Sequence, residues 1–392
     1  IMNHNVLPDT TTVNVSAGAT LNLNSSSSDT IAGLSGSGGV NLQSSVLIVG
    51  SGDATSTFSG VISGNGNLGK TGTGMLTLSG ANTYEGNTAI FAGELRLGNN
   101  NVISNVASVA PNSGATFNLN GFTDTIRDLN GQGAVLLGGG TLTVAPLAGS
   151  FFSGVISGTG NLTVNGALSL TLSGANTYTG TTTVSSGPLQ IGANECLANT
   201  SDLTVNGGTF DLQSFNETVD VVTLSSGAII GSGTLTGNIY NVESGAVSAK
   251  LGGSAILNKN TAGTVTLSGP NTYSGTTNIN AGALTLGANN VLPDTTTLQG
   301  TSPGIFNLAG FSDTVAGFGG TITISLGGGT LTVGHGGASS TFASLINGSG
   351  NLTKIGTGTI TLSGANTYTG VTTVSAGAFS LGASGVLDDT SD

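Results

Sequence analysis

The sequence predicts an all-β chain wound as a parallel β-helix, a β-solenoid built of four tandem repeats of about 95 residues. Three observations carry that prediction. The phrase Thr-Leu-Ser-Gly-Ala-Asn-Thr-Tyr-x-Gly begins at Thr77, Thr171, Thr266 and Thr361, with Pro270 in place of the Ala in the third copy. Its steps of 94, 95 and 95 residues are the period of an array in which each unit stacks on its neighbours. Apolar and polar residues alternate in short runs such as Leu76-Thr77-Leu78, the pattern of a half-buried strand. Gly-rich stretches separate these runs, and no window keeps a 3.6-residue stripe, so nothing reads as helix.

Each period carries about five strand signals. In the first they end near Leu21-Asn22-Leu23, Val40-Asn41-Leu42, Gly66-Asn67-Leu68, Leu76-Thr77-Leu78 and Leu95-Arg96-Leu97. Ser35-Gly36-Ser37-Gly38-Gly39 and Gly64-Asn65-Gly66 lie between them; Gly and Asn enter left-handed conformations cheaply, so these stretches are corners. Antiparallel hairpins would need a two-residue turn at every short link, and the links here are longer and irregular. Leu23 to Leu42 and Leu78 to Leu97 both span 19 residues, which suggests parallel coils of about 19 residues. Inward Leu, Ile and Val then line up from coil to coil, with Leu78, Leu172, Leu267 and Leu362 in the core. Residues 1–392 are expected to form one continuous solenoid. Its periods run roughly over 3–97, 98–191, 192–286 and 287–381, and 382–392 start a further one.

Composition excludes several functions. Gly is frequent at 68 residues, but it does not recur every third position, and 37% of the chain is hydrophobic, so neither a collagen nor a disordered chain is expected. The net charge of −12 leaves only Lys70, Arg96, Arg127, Lys250, Lys259 and Lys354 as cations. So few cannot neutralise a run of phosphates or hold an anionic membrane surface, so no nucleic-acid partner is expected. No apolar run reaches the roughly 18 residues of a span, so direct membrane insertion of this segment is not expected. Cys196 stands where Val291 stands one repeat later, which reads as a buried small hydrophobe rather than a reactive thiol.

Residues 58–97 read Phe-Ser-Gly-Val-Ile-Ser-Gly-Asn-Gly-Asn-Leu-Gly-Lys-Thr-Gly-Thr-Gly-Met-Leu-Thr-Leu-Ser-Gly-Ala-Asn-Thr-Tyr-Glu-Gly, then Asn-Thr-Ala-Ile-Phe-Ala-Gly-Glu-Leu-Arg-Leu. This resembles the autotransporter-associated β-strand repeat, also called the passenger-associated transport repeat. It recurs over 152–191 and 342–381. The third copy departs at Val247-Ser248-Ala249-Lys250-Leu251-Gly252-Gly253 and returns to type from Thr264 to Leu286. The resemblance implies a right-handed parallel β-helix in an exported passenger or adhesin of a Gram-negative bacterium, located outside the cell. In the family such segments aid passage across the outer membrane and support exported domains.

Tyr84, Tyr178, Tyr273 and Tyr368 recur in step and could stack on sugar rings. Spaced a full period apart they cannot share one sugar, so corner packing over Gly-rich turns is the expectation. Asp29, Asp124, Glu217 and Asp313 hold one phase of the period but lie about five coils apart, too far for a paired-carboxylate site. The stretches Leu137–Thr141 and Leu326–Thr330 lack the Asp of a calcium-binding solenoid repeat, and Asp388-Asp389 reads as a solvated turn. His4 and His335 have no acid or Cys at triad or metal-ligand spacing. Lys70, Lys259 and Lys354 mark one stripe that Val164 interrupts, which reads as solvation. No catalytic, cofactor-binding or metal site is expected, and no cofactor.

The expected function is an extracellular structural or adhesive surface protein, a rigid β-helical passenger, stalk or fibre segment, and not an enzyme. The alternative is a polysaccharide-binding or polysaccharide-degrading β-helix, and no period carries the local acid and base cluster that degradation requires. Thr arrays such as Thr181-Thr182-Thr183 lack the continuous column of an ice-binding face. Gly385–Thr390 repeats the phase of Asn5–Thr10, so self-association end to end, or continuation within a longer parent chain, is expected. Host or biofilm surface glycans are the candidate external partners.

Overall fold

In the computed structural model the described residues are 6–24, 28–382 and 386–387. Among them the regular structure is strands of two to ten residues, with one short 3-10 turn at His335–Gly337. Among the described residues no helix is long and apolar enough to cross a membrane. His4, Asp388-Asp389 and, of the matching end phrases, Asn5, Gly385 and Thr390 lie outside the described residues.

The chain divides into two compact units, Ile1–Ser201 and Asp202–Asp392. In the first, one coil comprises the strands Ala134–Gly138, Thr141–Val144 and Ser150–Phe152. The next coil lays Val155–Gly158, Asn161–Asn165 and Leu170–Leu172 on these in turn, each in parallel register. Two-residue alternation sends Val135, Leu142, Phe152, Ile156, Leu162 and Leu172 inward, all buried. The result is a three-sided parallel β-helix whose core is a set of aliphatic and aromatic columns. In the second unit the same pattern stacks Leu267 on Val247 and under Leu286. There Val247 fills the inward place that Phe58 and Phe152 hold in other periods, so the departure of the third copy preserves the core.

Coil length is less uniform than the 19 residues read from the sequence. Leu78 does pair with Leu97, 19 on, but Leu47 pairs with Leu68, Leu142 with Leu162 and Tyr240 with Leu257, steps of 21, 20 and 17. The corners absorb the difference, because only the strands are held to a common register.

A 94-residue step is therefore not a whole number of coils, and motif copies change faces. In the first unit Phe58 stacks on Leu78 and lies in the sheet of Leu97. Its counterpart Phe152 likewise stacks on Leu172, but on its other side it pairs with Gly131, in the column that runs from Ile90 through Pro111. Leu68 shares that second column's strands, whereas its counterpart Leu162 pairs with Leu142 on the neighbouring face. From the first copy to the second the phrase thus advances by about four and two-thirds coils.

Close approach between coils explains the glycine of the phrase. A Cβ on Gly80 would lie 1.9 Å from the Gly60 carbonyl oxygen, and one on Gly364 would lie 2.0 Å from that of Ser344. No side chain fits there.

Candidate functional site

The recurrent phrase is an internal fastening. After its strand, the Ser-Gly-Ala-Asn-Thr-Tyr stretch leaves the β-ladder, which would orphan backbone groups on the coils to either side. The asparagine amide replaces the missing peptide. Asn82 Nδ2 donates to the Val102 carbonyl at 2.8 Å, and its Oδ1 accepts from the Ile62 N–H at 2.8 Å. Asn176 does the same between Cys196 and Ile156, both at 2.7 Å. In the second unit Asn271 joins Val291 at 3.0 Å to Leu251 at 2.9 Å, and Asn366 joins Val386 to Ile346, both at 2.9 Å. Each buried side chain thus staples three consecutive coils. Sequence reasoning did not single these residues out, although their presence in all four copies was a signal.

The four repeated tyrosines are buried, at no more than 1% exposure, so no sugar can stack on them. They lie in the core rather than over the corners, and each hydroxyl meets the Oγ1 of the Thr four residues on. The distances are 2.5 Å at Tyr84–Thr88, Tyr178–Thr182 and Tyr368–Thr372, and 2.7 Å at Tyr273–Thr277. Burial raises the pKa of each of Tyr84, Tyr273 and Tyr368. Tyr240, unique to the third period, packs its ring 6.1 Å from that of Tyr273, and burial pushes its pKa up to about 12.

The acids of the shared phase are structural. Asp124 Oδ2 accepts from the Val102 and Ile103 N–H groups at 2.9 and 3.0 Å, and its Oδ1 from Thr125 at 2.8 Å. Asp313 repeats this with Val291 and Leu292, both at 3.0 Å, and Thr314 at 2.8 Å. The peptide that receives the asparagine staple on its carbonyl therefore gives its N–H to a carboxylate one coil further on. Burial raises Asp124 and Asp313 to about 6, against the opposing pull of the three N–H donors. Glu217 is also buried, while Asp29 is half-exposed and faces the Leu7 N–H at 3.3 Å.

The lysine stripe is not solvated, which corrects the sequence reading. Lys70, Lys259 and Lys354 are buried and turn their ammonium groups onto corner carbonyls. Lys70 Nζ donates to Thr71, Gly72 and Ala92 at 2.6, 2.9 and 3.2 Å. Lys354 does so to Ile355, Gly356 and Ala376 at 2.5, 2.9 and 3.1 Å, and Lys259 to the Thr261 and Ala281 carbonyls. Loss of hydration lowers the pKa of all three. At the second copy, where Val164 replaces the Lys, Ser186 replaces the Ala and its hydroxyl donates to the Gly166 carbonyl at 2.8 Å. The apparent break in the stripe is a substitution of one donor by another.

Cys196 is buried, with its thiol on the Leu172 and Ala193 carbonyls at 3.2 and 3.1 Å. The fold brings His335 Nδ1 to 3.8 Å from Asp294 Oδ2, a pairing that sequence spacing did not anticipate. Both side chains are exposed, and such a surface pair contributes little. Among the described residues no three His, Cys, Asp or Glu side chains gather as metal ligands.

These interior fastenings coincide with the known repeat. The model of the passenger-associated transport repeat matches residues 68–97, 162–191, 257–286 and 352–381. Over 346 residues, 82% of this chain, the sequence is 34% identical to the adhesin BmaC autotransporter of Brucella suis biovar 1 (strain 1330). That alignment covers 10% of the relative, so the chain spans about a tenth of its length. No solved structure matches the chain significantly. The matched segments hold the inward Leu, the asparagine or its strand partners and the buried Tyr-Thr pair in every copy. The chain is an autotransporter passenger-repeat protein.

Proposed function

We propose that this segment is an adhesive, non-enzymatic passenger held outside a Gram-negative cell, where its faces make contact with another surface. The observation that carries the reading is the fate of the repeated polar residues. The tyrosines, asparagines and lysines of the phrase, with the acids Asp124 and Asp313, are all turned inward and bonded to the fold. Repetition therefore serves stacking, and the outer faces are left to vary between periods. The similarity to an adhesin supports the same reading. Polysaccharide degradation has no such support, since Asp29, Asp124 and Asp313 are held singly by backbone N–H groups.

The purified chain, coated on fluorescent beads, should bind epithelial cells above albumin-coated beads, and soluble chain should compete. The same chain should release no reducing ends from a panel of neutral and acidic polysaccharides. Bead binding at the albumin level would remove the adhesive reading, and released sugar would restore the enzymatic one.

A further inference from the structure

On the first unit, the corners after the strands Thr88–Ile90 and Val109–Pro111 border a hollow of about 500 Å³ lined by Phe91, Asn112, Ser113, Gly131 and Gln132. A second hollow of about 230 Å³ opens on the other side of Gln132 and reaches Val155. That second hollow has a counterpart in the first period, around Gly18, Ser37 and Val61, so it comes with the repeat.

Phe91 does not come with the repeat. Its counterparts in the later periods are Ser185, Asn280 and Ser375. The ring is 46% exposed, and it rests against Gly69 of the preceding coil, where an added Cβ would lie 3.0 Å from Cε2. The counterparts of Gly69 are Thr163, Asn258 and Thr353. The exposed ring and the missing side chain beneath it thus occur together, in one period of four. Across the hollow stand Asn112 and Gln132, whose first-period counterparts are Ser16 and Ser37. Both are exposed, and among the described residues their amides have no protein partner.

We propose that this hollow binds a neutral hexopyranose, with the C–H face of the sugar on Phe91 and its hydroxyls on the Asn112 and Gln132 amides. The proposal deepens the adhesive reading by naming a ligand class. A pyranose presents an apolar face beside hydroxyls that both donate and accept, and an aromatic ring beside two amides matches both needs. The volume suits one or two sugar rings. No lining residue is charged and the chain carries a net charge of −12, so an acidic sugar finds no counter-charge. The Gly69 seat holds the ring in place before binding, which reduces the ordering cost.

The test uses residues that other periods already carry, so each variant has a precedent for folding. Saturation-transfer NMR on the full chain with methyl glycosides of glucose, galactose, mannose and N-acetylglucosamine should show at least one binder. Phe91→Ser and Gly69→Thr should each weaken that binder about tenfold or more, and Gln132→Ser by a smaller factor. Phe151→Thr, which changes an exposed ring outside the hollow, should leave it unchanged. No binding by any of the four glycosides, or binding indifferent to Phe91→Ser, overturns the proposal. Bead adhesion measured on the same variants separates the two readings. Adhesion lost in Phe91→Ser without any glycoside binding would mean a protein partner uses the ring and would overturn the sugar assignment alone, whereas absent adhesion by the unaltered chain defeats the broader reading.

Discussion

Replacing Asn82 tests the staple directly. Asn82→Ala leaves the buried Ile62 N–H without its partner and takes one of two donors from the Val102 carbonyl, which keeps the backbone N–H of residue 82 at 3.1 Å. An orphaned buried backbone group costs about 1–3 kcal/mol, so the loss of the staple should cost about that much. The unfolding of a stack is not two-state, so the readout should be local. Hydrogen exchange of the amides flanking Asn82 should quicken by between about one and two powers of ten, while coils remote from it keep their protection. Asn82→Asp sharpens the test. At neutral pH its carboxylate can still accept from Ile62 but sets an oxygen against the Val102 carbonyl, so it should be worse than Ala. Protonation restores a donor. The folded-state pKa of this Asp is thus raised above its unfolded value, and the lost stability should return as pH falls through the raised pKa. Exchange unchanged in Asn82→Ala, or an Asp variant no more stable in acid, would refute the staple.

Other outcomes follow from the same interior. Asp124 and Asp313 are raised to about 6 from an ordinary 3.8, so the folded state binds protons more tightly. Their contribution is fully present below the ordinary value and is lost as pH rises through about 6; the local stability read from exchange of the Val102 and Val291 amides should therefore rise between pH 7 and pH 4, by up to about 3 kcal/mol per residue. Asp124→Asn should flatten half of that dependence. Lys70→Val should lower the urea midpoint by leaving corner carbonyls unpaired, and adding Ala92→Ser should recover part of the loss, as the Val164–Ser186 pair does at the second copy. Gly80→Ala should cost several kcal/mol, read by thermal melting, because its Cβ would fall 1.9 Å from the Gly60 oxygen. Leu172→Asp should abolish folding of its coils, seen as local loss of exchange protection, since an unpaired charge would be buried.

The fold was legible because alternation and the recurrent phrase act locally. Leu76 and Leu78 point inward whatever the exact coil length, so a 19-residue estimate still gave parallel stacking. The roles of the polar residues were less legible, because they depend on partners a coil away. Lys70 looks like a surface cation until the Ala92 carbonyl is placed beside it, and Val164 looks like a random break until Ser186 is placed across from Gly166. Asn82 sits in plain view in the phrase, yet its function requires Ile62 and Val102, 20 residues to either side. The Phe91 hollow was equally hidden, since its residues come from three successive coils and differ from their counterparts only when the periods are compared.

The fractional advance between the first two copies of the phrase has a bearing on how such chains diversify. Because the first, 94-residue step is about four and two-thirds coils, duplicating or deleting that period turns the coils that follow it through a third of a circle while leaving the hydrophobic columns continuous. Recombination between near-identical periods would then act as an angular setting. A surface feature such as the Phe91 ring could be re-aimed by a change in copy number alone, with no substitution anywhere in the core.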